Sequence, residues 1–233
     1  ADGVPLAPAI VWQDVRAQAE AAAINASISA AEKAQWWGPG VDIPIGACHV
    51  VAKMAWFERH HPDLWARTVH VLAPKDFCLF HLTGKAVADP LAAWVPAHAR
   101  CGADHRYVAG LLDRVIGAAS KLPPLFELTE VIGETVIGGR KVPVVAGTMD
   151  AFGNLFGCGV CKPGQGMYMS GTSEILAVAG DRRTSAPGVV TFPTVEGLVV
   201  HAGPTQSGGD SLRWWGAVAN VEPLDVPVLA AQA

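Results

Sequence analysis

No apolar run in the sequence approaches the ~18 residues needed to span a bilayer, because a charge, a proline or a glycine interrupts each candidate. No membrane partner is expected of these residues. Basic clusters are missing too: 17 lysines and arginines lie scattered among 21 aspartates and glutamates, for a formal charge of −4. Without a basic patch there is no electrostatic footprint for nucleic acid or an anionic membrane surface, and no nucleic-acid partner is expected. Nor does a signal peptide precede the five cysteines, Cys48, Cys78, Cys101, Cys158 and Cys161, an odd set with mostly apolar neighbours. That set does not read as a disulfide framework and fits a reducing, cytoplasmic compartment. The chain opens at Ala1 without an initiator methionine, and its first apolar stretch reads like the middle of a domain. An internal fragment is expected.

What the sequence does contain is apolar material and turns. Over 233 residues, 51% are hydrophobic and mean hydropathy is +0.29, enough core for one large or two small compact domains. Scattered through it are 25 glycines and 17 prolines, the mark of many turns rather than of a periodic fibre. The run Ala9-Ile10-Val11-Trp12 predicts a strand, and the alanine-rich stretch from Arg16 to Gln35 a helix. A second helix is expected from His49 to His60, a buried strand at Thr68–Leu72, and a helix begun by Pro74-Lys75-Asp76 and stopped by Gly84. Helical stretches follow over 90–122. Gly133, Gly138 and Gly139 then break a β-prone region, Val142–Ala146 predicts a buried strand, and Phe152–Val160 a tightly packed helix. Beyond Pro163 come a hairpin turning at Ser170-Gly171-Thr172-Ser173, a strand at Leu198–Ala202 and a helix from about Ser211. A domain boundary is placed near residue 152, and the fold class is α/β.

Several residues could carry chemistry. Asp150 follows the predicted strand, where open α/β sheets gather ligands. Its carboxylate suits either a base or a helix N-cap. Ser170–Ser173 could wrap a phosphate with backbone N–H groups, or simply close a hairpin. The loop Gly203–Asp210, with Gly208 and Gly209, could bring backbone to an anion at a helix N-terminus, though it lacks P-loop spacing. Trp12-Gln13-Asp14, with Arg16 nearby, offers a ring for C–H faces and polar groups for hydroxyls; the alternative is an Asp14–Arg16 surface pair beside a core tryptophan. Cys158-Gly159-Val160-Cys161 has thiol or zinc spacing but no second such pair, and reads as two small residues packed in a helix. Trp214-Trp215 reads as a core and interface anchor, and His60-His61 as helix-end residues. No metal-ligating residue is assigned.

In order along the chain, these stretches resemble the FGGY family of carbohydrate kinases. The resemblance is carried by Ala9–Asp14 with Arg16, by Lys53-Met54-Ala55-Trp56-Phe57 with Arg59-His60, and by Pro74-Lys75-Asp76-Phe77 with Leu82-Thr83-Gly84 and Asp89. Further on it is carried by Val142–Asp150, by Gly164-Gln165 with Ser170–Ser173, and by Gly203–Gln206 with Gly208-Gly209 and Leu212-Arg213-Trp214. The sequence departs from the family pattern at Cys48 and Val50. The resemblance implies an actin-like, RNase H-like ATPase fold. Residues 1–152 would form the later part of the sugar-binding N-terminal domain and 153–233 the beginning of the nucleotide-binding C-terminal domain. It implies ATP-dependent phosphorylation of a sugar or polyol, leaning to a ketopentose such as xylulose, with Mg²⁺ required. Asp150 would be the general base, Gly171, Thr172, Gly208 and Gly209 would hold the ATP phosphates, and Trp12, Gln13 and Asp14 would face the sugar. A homodimer is consistent with the family. The family's opening G-x-D-x-G-T phosphate hairpin has no counterpart before Ala9, so the chain alone is expected to be inactive, and a non-catalytic sugar-binding or regulatory module is the alternative reading.

Overall fold

The computed structural model describes residues 2–37, 44–93, 106–171, 174–184, 186, 188–192, 194–195, 197–205 and 208–221. They form two compact units, 1–153 and 154–233.

The first unit is mainly helical. Its helices are α1 (Gln18–Ser27), α2 (Ala30–Trp37), α3 (Val50–His60), α4 (Pro62–Arg67), α5 (Pro74–Thr83) and the short α6 (Ala109–Leu112). Ala17, Ala21, Ile24 and Ile28 recur every three or four residues, so one stripe meets the core. There α1 packs on α3, whose Val51, Ala52 and Met54 join Trp36, Trp37, Trp65 and Leu111. The single helix expected over Arg16–Gln35 is two. Ser29 breaks it by capping α2: its hydroxyl and N–H both donate to Glu32 Oε2, at 2.8 and 2.9 Å, and its Oγ accepts from the Glu32 N–H at 3.2 Å. Those bonds, with Arg114 2.7 Å away, hold the Glu32 carboxyl down at about 2. Gly84, at φ +72°, ends α5 as expected.

Two expected strands are absent. Residues 9–12 form no strand, and Trp12 lies in a turn, 56% exposed. Residues 68–72 are irregular, with Val69 exposed and the Val71 N–H donating to Lys121 O at 2.8 Å. Short apolar runs do not specify a strand unless a neighbouring edge pairs with them. The strand expected over Val142–Ala146 is β2 (Arg140–Val145), which pairs antiparallel with β1 (Val131–Ile137) across Gly138-Gly139. Both glycines have positive φ, +57° and +78°, as a two-residue hairpin turn requires. This ribbon is not buried on both faces: Val145 is exposed, while Ile132, Val144 and Ala146 pack with Leu79 of α5.

The division between the units falls within α7 (Asp150–Gly157). The second unit is an antiparallel sheet in the order β3-β4-β6-β5, followed by α8 (Gly209–Ala219). The strands are β3 (Gly166–Ser170), β4 (Glu174–Gly180), β5 (Val190–Thr191) and β6 (Val199–Pro204). Ala177 and Ala179 face inward opposite Ala202 and Val200, whereas Leu176, Val178 and Tyr168 face outward. Trp214 and Trp215 do not anchor a core: Trp214 is 67% exposed, and its neighbour is exposed as well. Cys158 and Cys161 are exposed rather than packed in a helix, because α7 ends at Gly157. Cys101 lies outside the described residues.

Candidate functional site

In the first unit the turn that carries Trp12, Gln13 and Asp14 is held against α3. Lys53 Nζ donates to Val11 O at 2.8 Å and to Ile10 O at 3.4 Å. Arg16 is clamped by Asp14: its Nε donates to Oδ1 and Oδ2 at 2.9 and 2.8 Å, and one terminal nitrogen lies 2.7 Å from Oδ2. Those hydrogen bonds hold the Asp14 carboxyl below its usual range. The Arg16 guanidinium sits over the Trp56 ring at 4.9 Å, and Trp56 stacks on His60 at 4.8 Å. Two separate stretches of sequence, Trp12–Arg16 and Lys53–His60, therefore make one surface. Trp12 and Gln13 are exposed on it, while both oxygens of Asp14 are engaged by Arg16. The surface pair weighed from the sequence is present, but beside an exposed Trp12 rather than a core tryptophan.

Asp150 is the first residue of α7 and is exposed, with Oδ1 accepting the Ala151 N–H at 2.8 Å. The loop leading to it rests on a buried charged cluster. Asp89 is 0% exposed, and its Oδ1 accepts from the N–H groups of Leu91 and Ala92, each at 3.0 Å, and from Thr148 Oγ1 at 2.8 Å. Lys75 Nζ lies 3.1 Å from Asp89 Oδ2 and 2.7 Å from Asp76 Oδ1, and donates to Ala146 O at 2.9 Å. Burial raises the Asp76 carboxyl above its usual range, against the pull of Lys75. It also raises the Tyr107 phenol, with the Asp76 and Asp89 charges adding to the shift. Lys75 and Asp76 read from the sequence as a helix entry and, with Asp89, as points of resemblance, with no part in the site. The signal available was an aspartate set inside Val87-Ala88-Asp89-Pro90-Leu91, since a charge among apolar neighbours needs a partner.

In the second unit Gly171 and Gly209, one from each glycine-containing stretch, come together. The Gly209 N–H, at the start of α8, donates to Gly171 O at 2.7 Å, and a Cβ on Gly209 would stand 2.8 Å from that oxygen. Gly171 is exposed and Gly208 buried. Thr172 and Ser173 lie outside the described residues. An exposed bend of backbone beside a helix N-terminus fits an anion such as a nucleotide phosphate. Among the described residues no three His, Cys, Asp or Glu side chains are grouped to hold a metal ion, and no helix is long and apolar enough to cross a membrane.

Residues 1–157 match the FGGY family of carbohydrate kinases, N-terminal domain. The chain belongs to the FGGY family. Trp12, Gln13, Asp14 and Asp150 fall inside the matched span, and Gly171, Thr172, Gly208 and Gly209 beyond it. The xylulose kinase of Escherichia coli K12 is 28% identical over 194 residues, covering 78% of this chain and 37% of the relative. Among solved structures, the "xyloylose kinase" of Brucella ovis superposes with a TM-score of 0.75 at 25% identity, over 92% of this chain and 45% of that one. The gluconate kinase of Lactobacillus acidophilus superposes at 0.79 with 19% identity, over 98% and 48%. The mixed α/β fold is thus that of the actin-like FGGY kinases, and the chain spans under half the length of these relatives.

Proposed function

We propose that the intact protein carrying these residues transfers the terminal phosphoryl group of ATP to a hydroxyl of a sugar or polyol, and that the acceptor is a ketopentose such as xylulose. The observation that supports this most is an exposed carboxylate, Asp150, heading α7 on a firmly tethered loop inside the span that matches the FGGY N-terminal domain. In this reading Asp150 takes the proton of the attacking hydroxyl as its oxygen bonds to the terminal phosphorus and the bridging O–P bond breaks, with ADP leaving. Trp12 and Gln13 receive the sugar, the indole on C–H faces and the amide on hydroxyls, while Asp14 contributes by fixing Arg16 against Trp56. Gly171, Thr172 and Gly208 hold the phosphates through backbone N–H and hydroxyl donors, which fit phosphate oxygens without a side-chain charge, while Gly209, whose N–H is bonded to Gly171 O, brings the start of α8 against them. When bound, ATP supplies the phosphoryl group and Mg²⁺ neutralises charge on it.

The test is acceptor-dependent ADP formation by the intact protein with D-xylulose, D-ribulose, glycerol and gluconate. The expected result is phosphoryl transfer with the highest kcat/KM on a ketopentose. Calorimetric binding of a sugar with no phosphoryl transfer to any acceptor would overturn it and leave a non-catalytic binding module.

A further inference from the structure

We infer that the Lys75–Asp89–Thr148 cluster, built on the buried Asp89, is the positioning device for Asp150, setting where its carboxylate stands without touching substrate. The inference rests on the proposed role of Asp150 and adds the residues that make that role possible. Lys75 and Asp89 grip the tripeptide Ala146-Gly147-Thr148 at both ends. Lys75 Nζ donates to Ala146 O at 2.9 Å, and Thr148 Oγ1 donates to Asp89 Oδ1 at 2.8 Å, while Lys75 and Asp89 themselves stand 3.1 Å apart. Between the two grips, Gly147 takes a φ of +62° and gives its N–H to Leu128 O at 2.8 Å. Asp150 follows two residues after Thr148, and the N–H groups of Phe152 and Gly153 both bond to Met149 O at 3.1 Å, so no slack loop separates the grip from α7.

A buried ion pair is weak support for stability, because removing both charges from water costs about as much as their attraction returns. It does, however, define one geometry, and a fully satisfied buried network is stiff. Asp89 approaches that description through Oδ1, which takes three donors, while Oδ2 makes no hydrogen bond and has the Lys75 ammonium 3.1 Å away as its counter-charge. Stiffness there matters because a misplacement of about 1 Å at a reacting group costs on the order of 10²-fold in rate.

The experiment compares Thr148→Val, which keeps the shape and loses the donor, with Thr148→Ser, which keeps the donor, in the intact protein. The expected result for Thr148→Val is a kcat about 10- to 100-fold lower, with KM for sugar and ATP each within about threefold, and Thr148→Ser restoring kcat to within about threefold. Combined with Asp150→Asn, Thr148→Val adds no further loss, as expected of a residue that acts through Asp150. If Thr148→Val fails to fold, Thr148→Ala replaces it in the same comparison. Hydrogen exchange of the amides from Gly147 to Ala151 is the second reading, expected to quicken in Thr148→Val and not in Thr148→Ser. Unchanged kcat with unchanged exchange overturns the inference. Faster exchange together with an Asp150→Asn variant of normal turnover instead removes Asp150 as the base and leaves the tether standing.

Discussion

The turn at Trp12–Arg16 and the loop before Asp150 are fastened largely by charged side chains, whereas Gly171 and Gly209, at the start of α8, meet through a backbone hydrogen bond. On the first side an ammonium or a guanidinium recurs, with Lys53 on Val11 O, Arg16 on Asp14, and Lys75 on Ala146 O and Asp89, joined by the Thr148 hydroxyl on Asp89 and the Gly147 N–H on Leu128 O. On the second, the contact is one N–H to one carbonyl, too close for any Cβ. The difference matches the proposed cargoes. A neutral polyhydroxyl compound is told from its isomers by side chains placed at defined points, while phosphate oxygens are read by backbone donors that every sequence has and only glycine lets come near. The first kind of fastening depends on charge and pH, and the second on volume.

Substitution can break that contrast, starting with the largest effect. Asp89→Ala takes the acceptor from the Leu91 and Ala92 N–H groups and the Thr148 hydroxyl at a fully buried position, while Lys75 keeps Asp76 2.7 Å away, and a loss of about 3 kcal/mol in urea-denaturation stability is expected. A loss below about 1 kcal/mol would show that the cluster is not a tightly paired network. A pH effect of similar size belongs to His49. Burial, reinforced by the Lys53 charge, lowers its imidazole to about 4 from 6.5, and the neutral Nδ1 accepts the Gly46 N–H at 2.8 Å. Because the unfolded chain takes up that proton first, the contribution is whole above pH 6.5 and is lost as pH falls toward 4, by about 3 kcal/mol. Stability profiles of the wild type and His49→Asn should converge over that window. Parallel profiles would mean that His49 titrates as it does in the unfolded chain.

The backbone side should respond to volume and not to pH. Gly209→Ala is expected to raise KM for ATP about tenfold at every pH between 6 and 8 while leaving the sugar KM in place, roughly 1.4 kcal/mol of nucleotide binding. An unchanged ATP KM would detach this contact from the nucleotide. Trp12→Ala sharpens the comparison with the smallest effect on folding. The ring is exposed, so stability should move by less than about 0.5 kcal/mol while sugar affinity falls. Equal sugar binding by calorimetry would remove Trp12 from the acceptor wall.

Parts of this arrangement were legible in the sequence because they rest on local chemistry. Gly84 stops α5, and Ser170 at the end of β3 pairs with Glu174 at the start of β4, on either side of the predicted turn, where glycine or a run of small polar residues leaves the backbone few choices. The runs at 9–12 and 68–72 misled because strand propensity means little without a neighbouring edge. Val71 finds its partner in Lys121, fifty residues away, and no local pattern encodes that. Asp150 stood out by its place after an apolar run. Asp89 did not, because its role comes from Lys75 and Thr148, on separate segments that only the fold brings together.

The most direct measurement is steady-state phosphoryl transfer by Asp150→Asn in the intact protein, alongside its sugar affinity. The expected kcat is lower by about 10²- to 10⁴-fold, with sugar binding within about threefold of wild type. Turnover near the wild-type rate would contradict the role of Asp150 as base.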